Sequence, residues 1–154
     1  MTEQYKGDFV TEEELKQAFK ENYVNRQFKA GTIKRYSFEA MRYGGADLVT
    51  VELYKEKYQI RAFEFKLTNW RKALLQANLN YEFANQSFIV IPERQVKNVY
   101  DKGETFKNEN NIGIIAVDPI TKRWRMLNDS YPHSKKDSEI RLSQDIFKLL
   151  LGEI

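Results

Sequence analysis

Residues 45–67 read GADLVTVELYKEKYQIRAFEFKL, and the alternation inside this stretch decides the architecture. Two runs rich in β-branched and aromatic residues, Gly45 to Leu53 and Tyr58 to Leu67, flank a polar segment, Tyr54 to Lys57. That pattern predicts an antiparallel hairpin closed by a four-residue loop. Leu53 then faces Tyr58, Val51 faces Ile60 and Val49 faces Ala62. Directly opposed side chains share a face of the sheet, so this register builds one continuous apolar face. A slip of one residue sets the same apolar series against Arg61 and Gln59, which disfavours it. Two residues further on, the same face carries Asp47 opposite Glu64, and beyond that Gly45 opposite Lys66.

Two carboxylates side by side at the end of an apolar face repel, and partial burial makes each charge costlier. A divalent cation is the simplest compensation, because carboxylate oxygens suit Mg²⁺ or Mn²⁺. Lys66, on the same face, supplies a cation that a hydrolytic site uses to orient a water or to stabilise charge on a phosphate. Gly44 and Gly45 leave room for a ligand backbone to approach. The plainer reading of Glu-x-Lys is a solvated strand edge. Here, however, Glu64 and Lys66 interrupt an apolar run, Ala62-Phe63-Glu64-Phe65-Lys66-Leu67.

Working outward, Thr11 and Glu14 have capping-box spacing, and Leu15, Ala18, Phe19 and Tyr23 follow at helical intervals, predicting a helix from Thr11 to Tyr23. A strand is expected over Thr32 to Met41. Past the hairpin, Trp70, Ala73, Leu74, Ala77, Tyr81 and Ala84 fall on one helical face, predicting a helix from Asn69 to Phe83. Ser87 to Ile91 reads as a buried strand ending at Pro92. After a polar loop containing Gly103 come two more strand candidates, Ile112 to Val117 and Trp124 to Leu127, and a closing helix, Leu142 to Leu151. The expected fold is α/β, an α-βββ-α-β core with a mixed central sheet and a C-terminal strand/helix appendage. The third strand, second helix and fourth strand form a βαβ unit, which implies parallel pairing.

Composition bounds the rest. The 154 residues, without a Pro/Gly/Ser linker or repeat, predict a single domain over 1–154. Nineteen Phe and Tyr residues (ten and nine) support a folded chain. The net charge of +3 is too mild to demand a nucleic-acid partner by itself. The absence of cysteine excludes disulfides, thiolate zinc sites and cysteine nucleophiles, and the single histidine, His133, excludes a histidine metal cluster. No signal-peptide pattern or run of about 18 apolar residues is present, so a cytoplasmic protein without membrane attachment is expected.

The segments 45–49, 62–67 and 69–77, in a helix–three strands–helix–strand order, resemble the PD-(D/E)xK, or restriction-endonuclease-like, nuclease superfamily over about Thr11 to Pro92. The resemblance implies a Mg²⁺-dependent nuclease acting on DNA, with Asp47 and Glu64 binding the metal and Lys66 assisting the attacking water. Ala46 stands where the superfamily's lead proline would be. Some branches carry Gln-x-x-x-Tyr in the following helix; Gln76 is present, but the tyrosine comes five residues later, at Tyr81, which its spacing assigns to the core. Arg71, Lys72, Gln76 and Arg42 are the candidate nucleic-acid contacts, with Lys34 and Arg35 less specific. Glu13, Glu14 and Glu39 are further acidic candidates, although capping explains Glu14 equally well. Trp70 is expected in the core rather than stacked on a base. Lys122, Arg123, Trp124 and Arg125 form a second basic-aromatic patch. A homodimer or larger complex fits a domain of this size that cuts two strands. The alternative is a nuclease-fold protein that binds nucleic acid or a protein partner without cutting.

Overall fold

A computed structural model of the chain describes residues 7–40, 46–101 and 112–130. They form an α/β structure around one six-stranded mixed sheet, whose strands lie in sequence order. The strands are β1 (Ile33–Ala40), β2 (Ala46–Tyr54), β3 (Lys57–Phe65), β4 (Gln86–Pro92), β5 (Gly113–Val117) and β6 (Trp124–Asn128). β1, β2 and β3 pair antiparallel, β3 to β4 and β4 to β5 are parallel, and β5 to β6 is antiparallel. The Arg42 contact, Gly44, Gly45, His133 and the closing helix Leu142 to Leu151 lie outside the described residues, as does the side chain of Glu39.

The hairpin register is the one the alternation predicts: Leu53 pairs with Tyr58, Val51 with Ile60 and Val49 with Ala62. Its loop is tighter than expected. Tyr54 pairs with Lys57, leaving a two-residue turn, Lys55 and Glu56, both with positive φ, 49° and 69°. Such a turn matches the twist of the strands it joins, and here two long polar side chains adopt it without Gly or Asn.

Helices cover both faces. The first helix opens at α1 (Glu12–Phe19), where the Thr11 hydroxyl accepts from the Glu14 N–H at 3.1 Å. It does not stop at Tyr23 as predicted, but passes through a π turn, Lys20–Val24, into α2 (Asn25–Ala30). The wider turn brings both Tyr23 and Val24 into the core, which a regular helix would spread further apart on its surface. Gly31, at φ 85°, ends it. Leu15, Phe19, Tyr23 and Val24 pack on Leu48, Phe63, Phe65, Phe88 and Val90. On the opposite face α3 (Trp70–Asn80), with Asn69 as N-cap, packs Trp70, Ala73 and Ala77 on Ile89, Ile91 and Ile114. β4 and β5 are buried along their whole length, as parallel strands covered on both sides must be. The stretch after Pro92, expected as loop, contains a 3₁₀ turn (Glu93–Gln95) and α4 (Val96–Asp101), anchored by the buried Val99. Among the described residues no helix is long and apolar enough to cross a membrane.

Candidate active site

The paired ladder of β2 and β3 ends at Leu48 and Phe63, one step before Asp47 and Glu64. There the Asp47 carboxylate takes over from the backbone, with its Oδ2 accepting the N–H of Phe65 at 2.9 Å. Glu64, on the face covered by α3, is 2% exposed. Its Oε1 accepts from the Asn80 side-chain amide at 3.0 Å, and its carboxyl hydrogen-bonds with that of Asp47. The expected juxtaposition of Asp47 and Glu64 is present, through contact of side chain with side chain.

Electrostatics follow from that contact. Burial pushes the Glu64 carboxyl up from 4.5 to about 8. The Asn80 amide pulls it down, the charge and hydrogen bond of Asp47 push it up, and Lys66 pulls it back. Near neutral pH Glu64 therefore keeps its proton.

Lys66 follows the last residue of β3, where its N–H donates to the Val90 carbonyl at 3.2 Å. Its ammonium acts on Glu64 and also lies 3.7 Å from Glu12 Oε2, at the start of α1. The first helix thus does bring an acid to this end of the sheet, but it is Glu12 rather than the expected Glu13 or Glu14. Glu13 lines a cleft of about 190 Å³ with Lys16, Gln17, Lys20 and Phe38, and Glu14 sits in the cap. Helical spacing alone gave no means of choosing among three successive glutamates.

Arg71 and Lys72 are exposed on the first turn of α3. The Arg71 guanidinium lies 5.1 Å from the centre of the Trp70 ring, and Trp70 itself is in the core, as expected. Gln76 is half-buried on the same helix, and its Oε1 is enclosed without a hydrogen-bond partner among the described residues. Tyr81 packs against the core and its hydroxyl meets that of Ser130. The second basic patch is tied into the fold: Arg125 chelates Glu93, Lys122 lies over Phe9, and Trp124 packs edge-on against Tyr23. Sequence reasoning missed Asn80, an ordinary polar residue until the helix turns it toward Glu64.

Among the described residues no group of three or more Asp, Glu or His side chains is gathered that could hold a metal ion. An ion here would take two carboxylates and fill its remaining positions from solvent or substrate, as Mg²⁺ commonly does. The hard carboxylate oxygens of Asp47 and Glu64 fit such an ion. No family model matches the chain, and no curated protein matches it.

Proposed function

We propose that the protein is a Mg²⁺-dependent nuclease of the restriction-endonuclease-like kind, hydrolysing DNA phosphodiester bonds at the Asp47–Glu64 pair. One observation carries this reading: two carboxyls stand together at the end of an apolar sheet, Asp47 held by the Phe65 N–H at 2.9 Å and the buried Glu64 by Asn80 at 3.0 Å, with Lys66 following on the same strand end. On this reading Glu64 would give up its proton to a divalent ion held between the two acids. The order of helix, three strands, helix and strand, with a parallel β3–β4 pair, agrees with the same reading.

Asp47 and Glu64 would hold the ion, Asp47 being anchored by the Phe65 N–H and Glu64 by Asn80. A bound divalent cation supplies Lewis acidity at a phosphoryl oxygen and lowers the pKa of a coordinated water. Lys66, released from its long contact with Glu12, would orient that water or stabilise charge on the phosphate. Arg71 and Lys72, at the start of the helix that follows Lys66, would hold flanking phosphates, a contact that weakens with salt.

The test is calorimetric titration of Mn²⁺ into wild type and Glu64→Ala, followed by both proteins on labelled single- and double-stranded DNA. Metal binding and cleavage are expected from wild type and neither from the variant. Metal binding without cleavage of either DNA would favour a nuclease-fold protein that binds without cutting. A wild type that binds no Mn²⁺ would overturn the proposal.

A further inference from the structure

Asn80 is the last residue of α3, lies on the helix's inward side and is fully buried. Its Nδ2 donates to Glu64 Oε1 at 3.0 Å, while its own Oδ1 is enclosed without a partner among the described residues. For stability alone an amide is a poor occupant of this position. It gives up water at two polar groups and regains one bond, where a leucine of similar size gives up none. Gln86, comparably enclosed, shows the usual solution: its Oε1 accepts from Arg61 at 2.6 Å and its Nε2 donates to the Ser130 carbonyl at 2.6 Å. Both ends of that amide are used. Asn80 uses one, and uses it on Glu64.

We propose that Asn80 is the positioning residue of the site, holding the Glu64 carboxyl beside Asp47 in the geometry a divalent cation requires. The inference rests on the reading of Asp47 and Glu64 as metal ligands. Glu64 has a long side chain whose freedom must be lost before it can bind an ion together with Asp47. One strong donor on a rigid helix removes that freedom in advance. α3 is rigid at this point because Ala73 and Ala77 pack fully buried against the sheet, and the Ala77 carbonyl accepts from the Ser87 hydroxyl at 2.7 Å. The orientation of the ligand is thereby coupled to the core.

The experiment uses the full chain, with Asn80→Leu to preserve volume while removing the amide, and Asn78→Ala, an exposed position on the same helix, as control. Each is measured by thermal unfolding, by Mn²⁺ titration calorimetry and by DNA cleavage. Asn80→Leu is expected to melt close to wild type, since removing an enclosed oxygen offsets the donor lost to Glu64. It is expected to bind Mn²⁺ about 10- to 100-fold more weakly, the usual effect of removing a partner that orients a metal ligand. The kcat for DNA should fall while KM for DNA stays the same. Asn78→Ala is expected to match wild type in all three. If Asn80→Leu does not fold, Asn80→Ala is read by the same titration. A folded variant with wild-type Mn²⁺ affinity would overturn the positioning role and leave the metal reading standing. No Mn²⁺ binding by wild type would overturn the metal reading, and the positioning role with it.

Discussion

Glu52 and Glu64 are both buried glutamates, on neighbouring strands of one sheet, yet their surroundings differ in kind. Glu52 accepts from the Tyr23 hydroxyl at 2.9 Å, from Thr50 at 2.6 Å and from Tyr54 at 2.9 Å, and lies 3.4 Å from Arg61. Burial and the Glu52 charge together push both tyrosines above their ordinary value. Arg61 is raised too: burial lowers it, and Glu52 together with Tyr23 and Tyr54 more than offsets the burial. Glu64 has one amide, a second acid and the more distant charge of Lys66. The first carboxylate is held by three hydroxyls and a guanidinium, the second by a single donor. Burial of an acid is therefore weak evidence of function; the partner set separates structural from reactive.

The contrast predicts opposite effects from removing a charge at each place. If Glu64 holds the proposed ion, Glu64→Ala should lower DNA cleavage by about a thousandfold, on the order of 4 kcal/mol in the barrier. Its stability without metal should gain on wild type as pH rises above about 8, where wild type buries the Glu64 charge beside Asp47. Single-turnover cleavage and urea unfolding measure the two. Arg61→Met should do the reverse. It leaves Glu52 buried without its cation, and breaking a buried pair from one side costs about 3–5 kcal/mol, while Mn²⁺ affinity stays at the wild-type value. If Arg61→Met weakens Mn²⁺ binding or Glu64→Ala unfolds the protein, the division into structural and reactive acids fails.

Part of this comparison was readable in the sequence. The register of β2 on β3 followed from alternation, because Val49, Val51, Ile60 and Ala62 fill one face in only one pairing, and that register carries Asp47 to Glu64. The Glu52 network was hidden, since alternation presents Thr50, Glu52 and Arg61 as a solvated face. In fact that face is covered by the first helix, whose π turn delivers Tyr23 to Glu52 from 29 residues away. Asn80 was hidden for a similar reason: its role depends on how α3 is seated on the sheet. Periodicity reports what lies within an element, and both partner sets come from contacts between elements. The two-residue turn at Lys55 and Glu56 was obscured differently, by residues that do not advertise a positive φ.

A smaller effect sharpens the contrast through pH. Glu64 is raised in the folded protein to about 8, against an ordinary value of 4.5. The folded state thus binds a proton more tightly than the unfolded chain. The stability this contributes is complete below about pH 4.5 and disappears as pH rises through about 8. Without metal, wild type should lose stability from this group across that window, and Glu64→Gln should lack the slope. Mn²⁺ should stabilise wild type more at pH 8.5 than at pH 5.5, because less proton has to be displaced. Melting curves of both proteins at the two pH values, with and without Mn²⁺, measure this. Equal slopes would place the titrating group elsewhere.

The smallest expected effect concerns Glu12. Its carboxylate lies 3.7 Å from the Lys66 ammonium, with both side chains partly exposed, so the pair itself contributes about 0–1 kcal/mol. Glu12 also stands in the first turn of α1, where a negative charge gains about 0.3–1 kcal/mol from the helix dipole. Glu12→Gln should therefore cost no more than about 1 kcal/mol at low ionic strength, and less as salt screens both terms. Mn²⁺ affinity should not change, because Asp47 and Glu64 remain as they are. Urea unfolding at low and high salt, paired with Mn²⁺ titration, separates the possibilities. Loss of Mn²⁺ affinity in Glu12→Gln would make Glu12 a third ligand. The reactive acids would then span the first helix as well as the hairpin, and the Lys66 contact would be one edge of the site.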